Sequence, residues 1–220
     1  MKHRAITIDG PAGSGKSSVA REVALRLGFS FLDTGALYRA AALAIRDAGC
    51  DANDNDACGR VLQGIHISQD GGTTLLNGRD VSQEIRTPET SALASAIAVH
   101  PSVRGVLVEV QRSFLSRSSL VAEGRDTGSV VFPDADVKIY LHADPEERAR
   151  RRHAELVAKG MSPAMETVLH EMKIRDERDE GRKESPLVIP ESAVVVDTTH
   201  LNIQEVVEKI LSLVRERLTD

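Results

Sequence analysis

Gly10-Pro11-Ala12-Gly13-Ser14-Gly15-Lys16-Ser17 fits the pattern G-x-x-x-x-G-K-S/T. The apolar run at residues 5–8 reads as a buried strand before it. Val19, Val23 and Leu27 recur every four residues after it and read as a helix from Lys16 that stops at Gly28. Between strand and helix, glycines let the backbone turn tightly and aim its N–H groups at phosphate oxygens, and the helix N-terminus adds partial positive charge. In this reading residues Gly10, Pro11, Ala12, Gly13, Ser14, Gly15, Lys16, Ser17 and Ser18 hold a nucleoside triphosphate. Lys16 reaches the β- and γ-phosphates and Ser17 offers a hydroxyl to Mg²⁺. The alternative, a glycine-rich turn without a ligand, is disfavoured by the strand-loop-helix context. The motif leaves the reaction open, because GTPases, ATPases and kinases share it.

Outward from the loop, residues 29–32 read as a second strand closing at Asp33-Thr34-Gly35, and residues 37–48 as a helix ended by Gly49. Strand-helix alternation predicts an α/β fold, a parallel sheet flanked by helices. Residues 61–85 break it: Ile65-His66-Ile67 and Thr74-Leu75-Leu76, with turns at Gly71-Gly72 and Asn77-Gly78, read as a small antiparallel insert. Helices follow at 89–99 and 102–115, divided by His100-Pro101. Strands are then expected at 120–122, 137–141 and 193–196, charged helices at 145–159 and 163–178, and a last helix at 203–218.

The chain has 220 residues, 41% hydrophobic, with a formal net charge of −5. That supports one sizeable core with room for an insert. The acidic balance argues against a nucleic acid polymer as partner, though not against a mononucleotide. Cys50 and Cys58 lack zinc-ligand spacing, His66 joins no ligand pattern, and two reduced thiols are expected. No apolar run is long enough to span a membrane. Met1-Lys2-His3-Arg4 leads straight into a strand, so no signal peptide is expected. The expectation is a cytoplasmic monomer without a membrane partner.

Bringing a second anion to a triphosphate requires neutralising charge and excluding water. Arginine, planar and permanently charged, suits this task, and it stands at Arg39, Arg104, Arg125, Arg148, Arg150, Arg151, Arg152, Arg175, Arg178 and Arg182. Arg39 and Arg125 follow predicted strand ends, where open parallel sheets bind ligands. Arg148 and Arg150 read equally well as a solvated helix face paired with Glu146 and Glu147, and Arg175 to Arg182 as a helix laced by its own ion pairs.

Asp33-Thr34-Gly35-Ala36-Leu37-Tyr38-Arg39, Glu123-Gly124-Arg125-Asp126-Thr127-Gly128, Val131-Phe132-Pro133-Asp134-Ala135 and Arg175-Asp176-Glu177-Arg178-Asp179, with the phosphate loop, resemble the signatures of bacterial cytidylate kinases in order and spacing. The resemblance runs from Ala5 to the last helix. It implies a single P-loop domain, with a core at about 1–60, 117–147 and 190–220, a monophosphate-binding insert at about 61–116 and a helical lid at about 148–185. It implies ATP and Mg²⁺, with CMP or dCMP as acceptor. Thr34, Tyr38 and Arg39 would contact the acceptor; Ser95 and Arg104 would read the cytosine. Arg125 and Asp126 would lie over base and sugar, Arg175 and Arg182 would grip phosphates, and Asp179 would bind the sugar or orient an arginine. Arg151 and Arg152 would belong to the lid over ATP, and Lys16, Arg125, Arg175 and Arg182 would carry the catalysis. Glu123 stands where some members carry Asp. On the residues alone, Ser95 reads as helix packing; Tyr38 reads equally well as a helix residue packing on the core, a helix N-cap is the alternative for Asp126, and a cap for Thr198-Thr199 the simple reading of Asp197.

A phosphate-oxygen acceptor needs no general base, and none is evident. Three rival readings remain. A hydroxyl-phosphorylating kinase, such as shikimate kinase, would use Asp33 as base. A nucleotide-dependent switch would carry an Asn-Lys-x-Asp motif, which is absent. Among nucleotide kinases, adenylate or thymidylate kinase is the nearer rival.

Overall fold

The computed structural model describes residues 3–219. Its centre is β1 (Ala5–Asp9), buried at all five positions, as an apolar run covered on both faces should be. Around it lie β2 (Ser30–Asp33), β6 (Leu120–Gly124), β7 (Val137–His142) and β8 (Val194–Asp197), all parallel, in the order β2-β6-β1-β7-β8. The register aligns Asp9 with Gly124 and Asp33 with Glu123. The carboxyl ends of β1, β2 and β6 therefore form one crevice, where such sheets bind ligands.

Helices cover both faces. On one, α1 (Lys16–Leu27) and α8 (Ile203–Thr219) pack over Ile6, Ile8, Val121 and Ile139. On the other, Leu32, Leu120 and Ala122 meet the apolar helix α2 (Thr34–Asp47) and α5 (Pro101–Leu115). A third, small cluster joins Ala12 of the phosphate loop to Ala149, Val168 and Met172, carried by α6 (Pro145–Ala158) and α7 (Met165–Glu180).

Several local readings change. The second helix starts at Thr34, three residues before the apolar periodicity, because the Asp33 carboxylate caps it by accepting from Ala36 N at 2.8 Å. A helix not expected from the sequence, α3 (Asn55–Gln63), is capped by Asp54, which accepts from Asp56 and Ala57 N. It straddles the expected edge of the insert. The insert is a three-stranded antiparallel sheet of β3 (Ile67–Asp70), β4 (Thr73–Leu76) and β5 (Arg79–Asp80). Its first strand starts at Ile67 rather than Ile65, and the two-residue β5 is too short to show a period. The expected turns fall at Gly71-Gly72 and at Asn77-Gly78, where all four φ angles are positive. Helix α4 (Pro88–Ile97) and α5 each open on proline. A π-helical turn (Thr127–Val131) that sequence reading did not anticipate follows β6. Cys50 and Cys58 are free thiols. Among the described residues no single helix is long and apolar enough to cross a membrane.

Candidate active site

The phosphate loop bends through positive φ at Gly10, Gly13 and Gly15. At Gly13 a Cβ would lie 2.8 Å from the Arg148 carbonyl, so close backbone approach as well as φ demands glycine. Lys16 is 6% exposed, and its Nζ donates to the Pro11 carbonyl at 3.0 Å. Burial, and then the nearby Arg125 guanidinium, push its ammonium down to about 7. Ser17 Oγ donates to Glu123 Oε1 at 2.7 Å. Burial and then Asp33 raise the Glu123 carboxyl above its ordinary value, against the pull of Lys16. Ser14 Oγ is buried without a hydrogen-bond partner, and Ser18 is exposed on the first turn of α1.

Two supports of the loop have partners that the sequence did not reveal. Asp9, fully buried, accepts from Thr127 N at 2.9 Å and Thr127 Oγ1 at 2.7 Å through one oxygen, and from Gly128 N at 2.8 Å through the other. It ties the residue before Gly10 to the segment just after Asp126. Burial raises its carboxyl, with those three bonds opposing. Arg148 is not a solvated face: it is 7% exposed, donates to the Ala12 carbonyl at 3.0 Å and pairs with Asp176. Asp176 in turn accepts from Ala12 N at 3.4 Å. The pair, one partner from each of α6 and α7, therefore grips both peptide groups of Ala12. Their only sequence signal was a charge of the right sign, since ion pairs 28 residues apart leave no periodic trace.

Across the crevice, Thr34 Oγ1 donates to the Glu123 carbonyl at 2.8 Å, and Arg39 pairs with Asp33 at 3.3 Å. Arg104, 5% exposed, donates to the Ala98 carbonyl and Ser185 Oγ and forms an ion pair with Asp126. Its guanidinium lies 5.8 Å from the centre of the Tyr38 ring. Asp126 makes no cap bond, so the N-cap reading gives way to this pair. Asp179, 2% exposed, accepts from Arg125 Nε at 2.8 Å and from Arg182. Burial opposes its charge, but Arg125 and then Arg182 hold the carboxyl below its ordinary value. Burial and then Arg125 push Arg175 down to about 10. Arg39 Nε, Arg175 Nε, Arg182 Nε and Tyr38 Oη are buried without partners. Such orphaned donors are rare in folded proteins, and guanidinium donors left free beside like charges suit an anion.

The structure thus brings Glu123, Arg125, Arg175 and Asp179 close enough to Lys16 for each to act on its charge. Ser95 stands farther out, half-buried, and accepts from Arg178 Nη1 at 3.1 Å. Arg151 lies on the other flank, donating to the Thr198 carbonyl and pairing with Glu147. Arg152 pairs with Glu155 near the surface, and Arg150 keeps its local pair with Glu147. Asp197 accepts from Thr199 N, as its capping reading has it. Among the described residues no group of three His, Cys, Asp or Glu is placed to hold a metal ion.

A loop shaped for a triphosphate faces a separate set of arginines across the ends of three parallel strands, and these together define a kinase of the P-loop class. The family model described as "Cytidylate kinase" matches residues 6–216. A protein named "Cytidylate kinase" from Fervidobacterium nodosum is 46% identical, over 98% of this chain and 98% of its own. One of the same name from Solibacter usitatus is 48% identical, over 100% and 96%. A gluconokinase structure from Sinorhizobium meliloti 1021, 17% identical with a TM-score of 0.50 over 100% of this chain and 96% of its own, shares the fold alone. The chain belongs to the cytidylate kinase family; it is a nucleoside monophosphate kinase, acting on small-molecule nucleotides with a nucleotide as phosphate donor.

Proposed function

We infer that the protein transfers the γ-phosphoryl group of ATP to CMP or dCMP, giving ADP and CDP or dCDP. The observation that carries the two-anion chemistry is the set of buried guanidinium nitrogens without partners, on Arg39, Arg175 and Arg182, with Arg175 near enough to act on the charge of Lys16 and also acted on by Arg39. An acceptor phosphate is already ionised near neutral pH, so the work left to the protein is positioning, charge neutralisation and water exclusion. Lys16 and the backbone of residues 10–18 hold the triphosphate. Arg125, Arg175 and Arg182 balance charge between donor and acceptor, with Asp179 fixing two of them. Thr34, Tyr38 and Arg39 face the acceptor, and Ser95, Arg104 and Asp126 read its base. The hard oxygen of Ser17, with Glu123 behind it, suits Mg²⁺, which would neutralise phosphate charge when bound.

Segments at about 61–116 and about 148–185 act as acceptor-binding insert and as lid, the latter bringing Arg151 and Arg152 over ATP, on a core of about 1–60, 117–147 and 190–220. The enzyme works as a cytoplasmic monomer in pyrimidine metabolism. A hydroxyl acceptor is disfavoured because the Asp33 carboxylate is already engaged by Ala36 N and Arg39. The test is turnover of ATP with each nucleoside monophosphate in turn. Selective phosphorylation of CMP and dCMP is expected; equal use of AMP or dTMP would refute the base reading, and near-normal turnover in Lys16→Met would refute the loop assignment.

A further inference from the structure

β2 is an edge strand of the parallel sheet, bonded on one side to β6. An edge leaves peptide groups unpaired, yet at its last residue both are met. The Asp33 N–H donates to Gln69 Oε1 at 3.0 Å, and Gln69 Nε2 donates to the Asp33 carbonyl at 2.9 Å. One carboxamide thus does for Asp33 what a neighbouring strand would do. The two contacts demand opposite polarity, which fixes the amide's orientation. Gln69 sits on β3 opposite Thr74, whose hydroxyl its Nε2 also reaches at 3.5 Å. Thr74 is itself held, through its N–H by Ser82 Oγ and through its carbonyl by Val81 N. Beyond Gln69, Arg21 of α1 crowds the hairpin tip at Gly72, where a Cβ would lie 2.4 Å from its guanidinium. The insert is therefore latched to the core at the one strand end from which α2 departs.

Asp33 is a poor place for slack. Its side chain starts α2 at Ala36 and pairs with Arg39, and the next residue, Thr34, bonds to the Glu123 carbonyl. We propose that Gln69 is a positioning residue for the transfer reaction: its carboxamide holds the Asp33 peptide groups and, through them, sets Thr34 and Arg39 for the acceptor phosphate. This rests on the reading of Thr34 and Arg39 as acceptor residues. A shape-matched Leu offers neither bond, whereas Glu keeps the acceptor oxygen but cannot donate to the Asp33 carbonyl and adds charge beside its carboxylate.

The test is steady-state kinetics of the full chain with CMP and ATP, in Gln69→Leu, Gln69→Glu, Arg39→Ala and the double variant Gln69→Leu/Arg39→Ala. Val207→Ala serves as a control, loosening the packing of α8 on the sheet, away from the insert. Losing two partly buried bonds should raise the KM for CMP about tenfold in Gln69→Leu, leave the KM for ATP within about twofold, and add clearly less than tenfold once Arg39 is gone, the part that acts through Thr34 remaining. Val207→Ala should lower the melting temperature while keeping the KM for CMP. An unchanged KM for CMP in Gln69→Leu, an equal rise for both substrates, or full additivity with Arg39→Ala would overturn the role of Gln69 alone. A wild-type chain that does not phosphorylate CMP, or an Arg39→Ala variant with the wild-type KM for CMP, would overturn the acceptor reading and this proposal with it.

Discussion

Donor binding should carry a proton into the protein at Lys16. In the free chain its ammonium is buried and drawn down from 10.5 to about 7, by burial first and then by Arg125, with Arg175 adding to the effect and Glu123 and Asp179 opposing it. Phosphates placed against Nζ reverse the balance and return the group to full charge. At pH 8 a group titrating near 7 is only about one-tenth protonated, so binding should take up about 0.9 proton per triphosphate, falling to about 0.5 at pH 7 and about 0.1 at pH 6. Titration calorimetry with a non-hydrolysable ATP analogue, in two buffers of different ionisation enthalpy, reads this number directly. At pH 8 the nucleotide's own phosphates are already ionised, so the proton must come to the protein. Lys16→Met should abolish the uptake. A buffer-independent heat at pH 8, or equal uptake in Lys16→Met, would refute the reasoning. Linkage fixes a second sign. Between about 7 and 10.5 the unfolded chain holds the Lys16 proton and the folded one does not. The Lys16 contribution to free-chain stability therefore rises with pH across that window.

Asp179→Ala strips Arg125 and Arg182 of a buried partner and should cost about 3–5 kcal/mol in urea unfolding; a loss below about 1 kcal/mol would count against the pair. Because the Asp179 carboxyl is held below its ordinary value of 3.8, its stabilisation is present above that pH and is lost as pH falls below it, which acid unfolding of wild type and variant will compare. Gly59→Ala places a Cβ 2.7 Å from Ser102 Cβ, between α3 and α5, and should destabilise by about 1–3 kcal/mol. Gly105→Ala, in α5 with nothing within 4 Å, should stabilise by about 0.5–1 kcal/mol in the same melts. Asp9→Asn sets an amide donor against the Gly128 N–H, and denaturant curves should record a loss of about 1–3 kcal/mol together with slower turnover.

The phosphate loop and the parallel sheet were legible because their signals are local: an apolar run, glycines at fixed offsets, and a four-residue period up to Gly28. Where the signal was local but brief, boundaries slipped. The Asp33 cap moved the start of α2 back to Thr34, and the nine residues of α3, only three of them buried, left too faint a stripe. The two-residue β5 had none. In the site, residue types were readable and partnerships were not. Arg148 could be read equally well as a surface arginine, because Glu146 and Glu147 stand beside it, and its partner Asp176, on the next helix, was not readable. Asp9 read only as the end of a strand, and its three donors lie 118 and 119 residues away. Gln69 carried no charge to notice at all.

The smallest of the three apolar clusters has a consequence for how the molecule breathes. Helices α6 and α7 share only Ala149, Val168, Met172 and the half-buried Leu156 with Ala12, while Val157, Met165, Leu169 and Ile174 stay exposed. So thin a core predicts that the pair opens as a separate cooperative unit, before the sheet does. Its attachments, however, include the peptide groups of Ala12, held through Arg148 and Asp176, beside Arg151 on Thr198 and Asp179 on Arg125. Each opening must release the phosphate loop, and each triphosphate that stiffens the loop must slow the opening. Amide hydrogen exchange along residues 145–180 would then be a clock for occupancy of the loop, ticking more slowly as nucleotide fills it.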